Sequence, residues 1–491
     1  MIETQESAPQ ANASEHLGIV EKLSYGLGDL ASCLYWQTFM IYLTFFYTDV
    51  FGISALAAGT MIGISRISDA FFDPVMGMIA DRTKTRWGKF RPFFIWMCVP
   101  MAVLGVLTFT VPHVGDNAKL IWAYVTYNAL MLIYTAINIP YTALMGVITT
   151  NALERTALSS IKYVGAFAGG MIIAATLLPM AKVGGWLGAQ TVERGWQLCF
   201  TIYGIAACAC FITMFFTTRE RVLPPKKQVT SVTSDLKDLV TNGPWLILVA
   251  CTLAFILFVA LRGSVTAHYF KYYVGKQSFT LPLWLPKSMA GTQTWEWETI
   301  ASMYNTSTQF ASLVGVILMP FVARMGGRKI AFMVLMMIAV CCTGSFYVLR
   351  PDQVPLIFAI NLLGSITGGP IIALLMTMYA DTADYGEFTK RRRATGLIFS
   401  ASIFSQKQGW GFGAWAALAI LNSTGFVANQ AQTPETLHGL VRLMSILPAG
   451  IGIVSMVILM FYPLHEGKMA EIEVELKKRR AADGSESTVP A

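Results

Sequence analysis

Residues 61–93 read MIGISRISDAFFDPVMGMIADRTKTRWGKFRPF, an apolar segment joined to a short basic turn. A helix needs about 20 predominantly apolar residues to cross the hydrocarbon core of a bilayer. The segment 54–80 meets that length, although it carries the carboxylates of Asp69 and Asp73. A turn rich in lysine and arginine is typical of a membrane helix that returns to water on the cytoplasmic side. We therefore predict that 54–80 spans a membrane.

Apolar segments of this kind recur along the whole chain. Of its 491 residues, 55% are hydrophobic and only 13% are charged, about half the charged fraction of an ordinary soluble domain. We predict an all-α integral membrane protein with about twelve transmembrane helices. The predicted spans are 24–49, 54–80, 92–112, 119–147, 160–182, 197–217, 245–270, 300–323, 330–349, 355–380, 394–421 and 438–463.

The longest polar connector separates six spans from six. A basic turn with a glycine follows the second span (DRTKTRWGKFRP), and a similar turn (ARMGGRKI) follows the eighth. Many transporters consist of duplicated halves with the substrate site at the midplane between them; a chance likeness of two basic loops is the alternative. The predicted divisions are an N-terminal tail 1–20, a six-helix half 21–217, a connector 218–242, a second six-helix half 243–463 and a C-terminal tail 464–491.

Lysine and arginine indicate which side of the membrane each connector faces. They cluster in one set of connectors, at 82–91, 219–237, 324–329 and 390–393, and are scattered singly in the other set. Because twelve is an even number, both termini lie on one side, and we predict that this side is the cytoplasm. The net charge of +8 then reflects membrane topology and argues against a surface that binds nucleic acid.

The ends and the external connector carry weaker signals. Residues 1–16 are polar and show no cleavable signal peptide, so we expect the first span to direct membrane insertion. The connector 274–299 contains three tryptophans, which favour the membrane interface; an interfacial cap is the simpler interpretation and a gating lid the alternative. The segment 464–482 is predicted to be a short amphipathic helix. The eight cysteines show no zinc-binding spacing.

Charged side chains inside a membrane span are costly and point to function. Asp69 and Asp73 are four residues apart and therefore share one face of the second helix. Two carboxylates this close repel each other, so either one is protonated or a cation lies between them. Oxygen ligands suit a hard ion such as Na⁺. The alternative is an internal ion pair, for example with Arg66, that fixes helix packing.

Polar side chains interrupt other spans as well. Asp29 lies in the first span, Asn138 in the fourth with Thr135 one turn before it, Arg262 in the seventh and Lys407 in the eleventh. Nearby aromatic rings can offer flat faces to a sugar, although core packing is the simpler role for each ring taken alone. These aromatic residues are Tyr35, Trp36, Tyr141, Tyr269 and Trp410.

Four stretches together carry a family resemblance. They are LSYGLGDLAS at 23–32, FFYTDVFGIS at 45–54, SRISDAFFDPVMGMIADRTKTRWGKFRPF at 65–93 and MYADTADYGEF at 378–388. The chain resembles the glycoside–pentoside–hexuronide:cation symporters of the major facilitator superfamily, which include the melibiose carrier. The likeness extends over nearly the whole chain. It implies a major facilitator fold and a location in the bacterial inner membrane.

The resemblance also implies roles for individual residues. Carboxylates in the second span of the family coordinate the coupling cation, which implies that Asp69 and Asp73 are its ligands, and metal ligands if the ion is Na⁺. A threonine in the fourth span assists them and corresponds to Thr135. A lysine in the eleventh span bridges the cation and sugar regions and corresponds to Lys407. An arginine of the fifth span near the sugar corresponds to Lys162.

The chain departs from the melibiose carrier at two sugar positions. Acidic residues of that carrier hold the galactosyl hydroxyls, and Cys33 and Asn138 take their places here. Melibiose is therefore not the expected substrate. The loss of two carboxylates beside Lys162, Arg262 and Lys407 makes the cavity more positive, which favours a uronide or another anionic sugar, with a neutral pentoside or glucoside as the alternative. Asp29 lies one turn before Cys33 and is a substitute acceptor for sugar hydroxyls.

We expect import of a glycoside, pentoside or hexuronide with Na⁺ or H⁺ by alternating access. Arg66 and Lys407 are expected to couple the sites, and the loops 82–91 and 381–393 to latch the outward-open state. The protein is expected to work as a monomer in contact with lipid, without another cofactor and without nucleic acid. A sugar sensor and a membrane enzyme for lipid-linked sugars are the alternatives. The expected substrate residues are Asp29, Cys33, Asn138, Tyr141, Lys162, Arg262 and Trp410.

Overall fold

The computed structural model describes residues 17–149, 151–221, 240–280, 292–323, 327–390 and 395–482. Within these ranges, helices cover all twelve predicted spans, and a thirteenth helix follows them. They are α1 (Ile19–Ile41), α2 (Ala55–Arg82), α3 (Pro92–Thr108), α4 (Asp116–Ile148), α5 (Ala152–Ala181), α6 (Val192–Thr217), α7 (Gly243–His268), α8 (Trp297–Ala323), α9 (Arg328–Ser345), α10 (Val354–Lys390), α11 (Thr395–Ser423), α12 (Pro434–Met444 and Ile446–Met460) and α13 (Glu466–Ala482).

Seven of the described helices, α4, α5, α6, α7, α9, α10 and α12, are long and apolar enough to cross a membrane by themselves. Helix α3 is equally apolar but has only 17 residues. The remaining long helices, α1, α2, α8 and α11, carry more polar side chains. All four also contribute residues to the site described below.

Local sequence signals explain where several helices begin. The side chains of Ser54, Asn242 and Thr433 accept hydrogen bonds from the first turns of α2, α7 and α12. Pro92 occupies a first position in α3 and Pro434 one in α12, where the missing N–H costs nothing because it has no helical partner. Capping residues and prolines therefore set these boundaries.

Helices α1 and α7 end in the same unusual way. After α1 the chain continues through Leu43–Phe45 into a π-helical turn, Phe46–Val50, and α7 continues directly into a π-helical turn, Tyr269–Val274. Such turns are rare and are frequent at functional sites. Their occurrence at equivalent positions places two matched irregular segments side by side at one end of the bundle.

The packing of the first six helices is repeated by the last six. In the first half α1 packs against α5 and α6, α4 packs against α2 and α3, and α3 packs against α6. In the second half, correspondingly, α7 packs against α11 and α12, α10 packs against α8 and α9, and α9 packs against α12. The halves meet along two equivalent seams, α2 with α11 and α8 with α5, and also where α1 approaches α7. This arrangement is that of two related six-helix units.

A glutamate holds the basic turn of each half in the same way, and we call each arrangement a clasp. Glu220, just after α6, accepts backbone N–H bonds of 2.8–3.0 Å from Lys89, Phe90 and Arg91 before α3. Glu466, just after α12, accepts from the Arg328 backbone N–H and Nε, each at 3.0 Å. The repeated turns seen in the sequence therefore have matching partners.

Each clasp needs a glycine beside the glutamate. Gly88 has φ +110° and Gly327 has φ +82°, in the left-handed region. A Cβ at Gly88 would lie 2.5 Å from Glu220 Oε1, and one at Gly327 would lie 2.6 Å from Glu466 Cγ. Side chains are strained in this conformation. The positive φ and the lack of room for a Cβ therefore both favour glycine at these two positions.

Replacing Gly88 with alanine is expected to destabilise the first half by about 1–3 kcal/mol, because the new side chain is strained and displaces Glu220. The measurement is the apparent unfolding midpoint of the purified protein in detergent. Gly146→Ala in α4 is the matched control, because nothing lies within 4 Å of a Cβ at that position. An equal midpoint for both variants would show that the clasp contributes nothing to stability.

The tail helix and the external connector complete the structure. Helix α13 buries Met469, Ile472 and Leu476, which confirms the predicted helix in the C-terminal tail. In the connector predicted to be external, Gln277–Thr280 pairs antiparallel with Thr292–Trp295, so two short strands add to the predicted all-α fold. The part of that connector between the two strands lies outside the described residues.

Hydrogen bonds from Arg328 lower the pKa of the Glu466 carboxyl below its usual value. A carboxyl with a lowered pKa contributes stability at neutral pH and loses it as the pH falls through the lowered pKa. The clasp of the second half is therefore fully formed at neutral pH and weakens only in acid.

Candidate functional site

The two carboxylates of α2 are each held by a basic partner. Asp69 is 3% exposed, and its Oδ2 lies 3.2 Å from Arg66 NH1 within the same helix. Asp73 pairs through Oδ2 with Lys407 Nζ of α11 and accepts a 3.1 Å hydrogen bond at Oδ1 from Thr135 Oγ1 of α4. The five residues named from the sequence for cation binding and coupling therefore form one cluster, which we call the carboxylate cluster.

The Lys407–Asp73 pair joins the two halves of the molecule. Helix α2 belongs to the first half and α11 to the second, and Gln408 Nε2 adds a 3.0 Å bond to the backbone oxygen of Arg66. The side chains of Lys407 and Asp73 remain 19% and 23% exposed. A change in the charge of Asp73 therefore acts directly on a contact between the halves.

Arg66 is fixed from several directions. Its NH2 donates to the hydroxyl of Tyr127 at 3.2 Å, and its guanidinium lies 5.1 Å from the ring centroid of Trp36. Trp36 in turn stacks on Tyr134 with centroids 5.7 Å apart. The structure therefore contains the ion pair of Arg66 with Asp69 that the sequence analysis gave as the alternative to a cation site. It also contains a second ion pair, between Lys407 and Asp73.

The cluster keeps oxygen atoms that no basic group occupies. Neither Asp69 Oδ1 nor Asp73 Oδ1 takes part in the ion pairs, and Thr135 Oγ1 lies beside Asp73. Carboxylate and hydroxyl oxygens suit a hard monovalent cation, and either carboxylate can instead take up a proton. Within the described residues, no group of three or more His, Cys, Asp or Glu side chains forms a resident metal site.

A second group of candidates lies in the first half. The Lys162 ammonium lies within electrostatic range of both Asp29 and Cys33, and all three are partly exposed. Asn138 donates from Nδ2 to the backbone oxygen of Tyr134 at 3.1 Å, which leaves its amide oxygen directed elsewhere. The structure thus brings Asp29, Cys33 and Lys162 together, and their roles as substrate contacts stay predictions.

Tyr141, which was predicted to contact the substrate, is enclosed within the protein in this structure. Its ring is fully buried and stacks on Tyr25 with centroids 4.8 Å apart, and its hydroxyl donates to the Tyr25 backbone oxygen at 2.9 Å. Tyr35 and Tyr269 are also fully buried. These rings pack helices together and have no free face for a sugar, whereas Trp36 and Trp410 are only partly buried.

A cavity of about 200 Å³ lies mainly in the second half, between α7, α8, α9, α10 and α11, with α1 along one side. Two predicted residues, Arg262 and Trp410, line it. The cavity is not lined by the candidates of the first half, which are Asp29, Cys33, Asn138 and Lys162. Trp410 lies one turn after Lys407 on α11, so the cavity is adjacent to the carboxylate cluster.

Neutral polar side chains in this cavity were missed in the sequence. Tyr304, Asn305, Thr308, Gln309 and Ser312 of α8 all line it. Their spacing follows the helical repeat, so they share one face of α8. That periodicity was the signal that the sequence offered for these uncharged residues.

Another buried cluster lies at the end of the bundle opposite the clasps. Asp49, in the π-helical turn after α1, has a side chain with no exposure and lies 2.7 Å from Lys271 Nζ and 3.2 Å from His268 Nε2. Tyr272 donates to the same carboxylate, and Asn429 Nδ2 donates to the Asp49 backbone oxygen at 2.8 Å. We call this the Asp49 cluster.

The Asp49 cluster also joins the halves, because its other members come from α7, the turn after it and the α11–α12 connector. Thr48 Oγ1 lies 2.8 Å from His268 Nε2, and Thr44 Oγ1 donates to the Ser264 backbone oxygen at 2.5 Å. Between described residues, the ion pairs that join the halves all involve Asp49 or Asp73. This end of the bundle is therefore closed.

The predicted latch loops make their described ion pairs within each half. Lys89 pairs with Asp81 at 2.8 Å, and Arg328 pairs with Asp381 at 2.7 Å. Residues 391–393 of the predicted basic cluster lie outside the described residues. The expected role of these loops in an outward-open state stays a prediction, since the end that the structure closes is the opposite one.

Comparison with known proteins also points to sugar transport. Residues 24–466 match the family described as MFS/sugar transport protein. The isoprimeverose transporter of Lactiplantibacillus pentosus is 35% identical over 90% of this chain and 88% of that protein. The putative glycoside/cation symporter YagG of Escherichia coli K12 is 33% identical over 95% of this chain and 97% of that protein. A solved D-xylose-proton symporter shares the fold, with a TM-score of 0.58, 15% identity and coverage of 91% and 97%.

Proposed function

Because the chain belongs to the MFS/sugar transport family, we propose that it imports a glycoside, pentoside or hexuronide together with Na⁺ or H⁺ by alternating access. It is a secondary active sugar:cation symporter of the bacterial inner membrane and not an enzyme. The choice of ion, the orientation with both termini in the cytoplasm and action as a monomer are parts of the proposal.

The observation that carries the coupling mechanism is the contact of Lys407 with Asp73 across the halves. In this state the lysine ammonium occupies one oxygen of the carboxylate that the coupling cation needs. A cation or proton that reaches Asp73 weakens its attraction for Lys407. The released ammonium is then free to donate to a sugar hydroxyl or carboxylate in the adjoining cavity. Cation binding therefore raises the affinity for sugar, and by reciprocity sugar raises the affinity for the cation.

The Asp49 cluster is proposed to be the external gate. With both termini in the cytoplasm, the end opposite the clasps faces the outside, and there the two π-helical turns are tied together by buried ion pairs. Sugar enters from that side only after these contacts separate. The Asp49 cluster and the Lys407–Asp73 pair thus hold the halves together on the external side and at the middle, and each transport cycle must break and remake both.

Exchange of labelled sugar across proteoliposomes tests the proposed function. Purified protein is loaded with an unlabelled glycoside or uronide and diluted into the labelled compound, with and without Na⁺ and at two pH values. Labelled sugar is expected to enter transiently above its equilibrium level. A sugar sensor or a membrane enzyme gives no such exchange with any sugar, so a negative result across the panel would remove the proposal.

A further inference from the structure

A second cavity, of about 190 Å³, lies beside the Asp49 cluster at the end of the bundle opposite the clasps. Both halves line it. The first half contributes the π-helical turn after α1 and the adjoining ends of α5 and α6, and the second half contributes the turn after α7, the start of α8 and the α11–α12 connector. Asn429 is exposed and Lys182 is partly exposed, so solvent reaches this space. We call it the gate cavity.

Two charged side chains of the gate cavity have no ion-pair partner among the described residues. Lys271 pairs with Asp49 at 2.7 Å. Lys182, which follows α5, and Glu298, in the first turn of α8, line the same cavity without forming an ion pair. Both are partly buried, and they lie within electrostatic range of each other. An ammonium of the first half and a carboxylate of the second half therefore border one space without direct contact.

The groups of this cavity suit a neutral ligand that carries neighbouring hydroxyls. Two carboxylates and two ammonium groups line it, so their formal charges cancel and a ligand needs no net charge. A carboxylate accepts two hydrogen bonds and an ammonium donates up to three, and partly buried charges are costly until such partners satisfy them. Trp297 also lines the cavity and is only partly buried, and an aromatic ring can pack against a sugar ring.

We propose that the gate cavity is a second, inhibitory binding site for the transported sugar, in which Glu298 and Lys182 bind neighbouring hydroxyls. The proposal rests on the proposed transport function and adds a regulatory site apart from the carboxylate cluster and from the cavity at Arg262. A sugar bound there contacts both halves while the Asp49 cluster is closed. A ligand that binds one of two conformations better shifts the population toward it. Sugar at high external concentration therefore keeps the gate closed and slows its own entry.

The initial rate of exchange across proteoliposomes, measured at increasing external sugar, tests the proposal. The probes are methyl β-D-xyloside, methyl β-D-glucoside and methyl β-D-glucuronide, and the full curve is taken for each one that the unmodified protein exchanges. The rate is expected to pass through a maximum and then to fall at least twofold. In Glu298→Gln and in Lys182→Gln, each of which removes one charge from the cavity, the fall should move to concentrations at least ten times higher.

Each curve is compared with its own maximum, so a lower protein yield does not affect the result. The two variants test the site independently, so a folding defect in one of them does not remove the test. Glu296→Gln is the matched control, because Glu296 lies two residues before Glu298, pairs with Lys276 and does not line the cavity. Its rate should fall at the same concentrations as that of the unmodified protein.

A rate that only rises to a plateau in the unmodified protein overturns the inhibitory site and leaves the transport function standing. A fall that Glu298→Gln and Lys182→Gln both retain at unchanged concentrations also overturns it, because the inhibition then arises elsewhere. Absence of exchange with every sugar removes the transport function and this site with it.

Discussion

Asp73→Asn is expected to abolish accumulation of sugar against its gradient while exchange of labelled sugar continues. Asparagine keeps the size of the side chain but neither attracts a cation nor compensates the ammonium of Lys407. Removing one partner of a buried ion pair costs about 3–5 kcal/mol, and the partial exposure of both side chains, 19% and 23%, places this pair near the lower value. Uptake is measured in proteoliposomes under imposed Na⁺ and pH gradients, where internal sugar should not exceed the external concentration.

Two further variants separate coupling from folding. Asp116→Asn removes an exposed carboxylate at the start of α4 and should accumulate sugar normally. The double variant Asp73→Asn with Lys407→Gln removes both charges, so it is expected to recover protein yield without recovering accumulation. If Asp73→Asn still accumulates sugar with an unchanged response to both gradients, this carboxylate is not part of the cation site.

Asp49→Asn is expected to open the external side of the protein. The change leaves Lys271 and His268 facing each other without a carboxylate, and such a loss costs about 3–5 kcal/mol. An open state populated at about 1% would then rise to roughly half or more of the molecules. Spin labels at position 116, the first residue of α4, and at position 352, in the α9–α10 connector, measure the opening in a background without native cysteines. The distance distribution should move to longer values, and transport should slow at least tenfold.

An exposed ion pair within one half provides the control for the gate. Lys276 and Glu296 lie 2.6 Å apart with 60% and 47% exposure, and both belong to the second half. Glu296→Gln should leave the label distances unchanged, because exposed pairs contribute about 0–1 kcal/mol. A distance distribution in Asp49→Asn that matches the unmodified protein would show that the Asp49 cluster does not hold the external side closed.

The sequence predicted the helices better than it predicted their ends. Apolar length located all twelve helices, because the bilayer imposes that length. The hydropathy pattern placed the end of the tenth span at 380, whereas α10 continues to Lys390. A helix can extend beyond the hydrocarbon core into water, so apolar length does not mark its end. The π-helical turns Phe46–Val50 and Tyr269–Val274 left no signal in hydropathy, and their pairing depends on contacts between the halves.

The candidate site followed from the sequence only where charge revealed it. Asp69, Asp73 and Lys407 were identifiable because charge is rare inside a membrane span, and they lie together in the structure. The Asp49 cluster was not predicted, because Asp49 lies at the end of a span, where a carboxylate is common. Tyr141 is buried because its ring packs two helices, and a single sequence does not distinguish such a ring from one that faces a cavity.

The positions of the two clasps bear on the order in which the protein is assembled during synthesis. Glu220 follows directly after the sixth helix, so the first half has every residue it needs once the central connector is being made. Glu466 comes 246 residues later, after the last span. At a translation rate of about 5–20 residues per second, the second half waits roughly 12 to 50 s longer for its own glutamate. Throughout that interval the first half has its glutamate in place, whereas the turn at Gly327 in the second half still lacks the side chain that binds it.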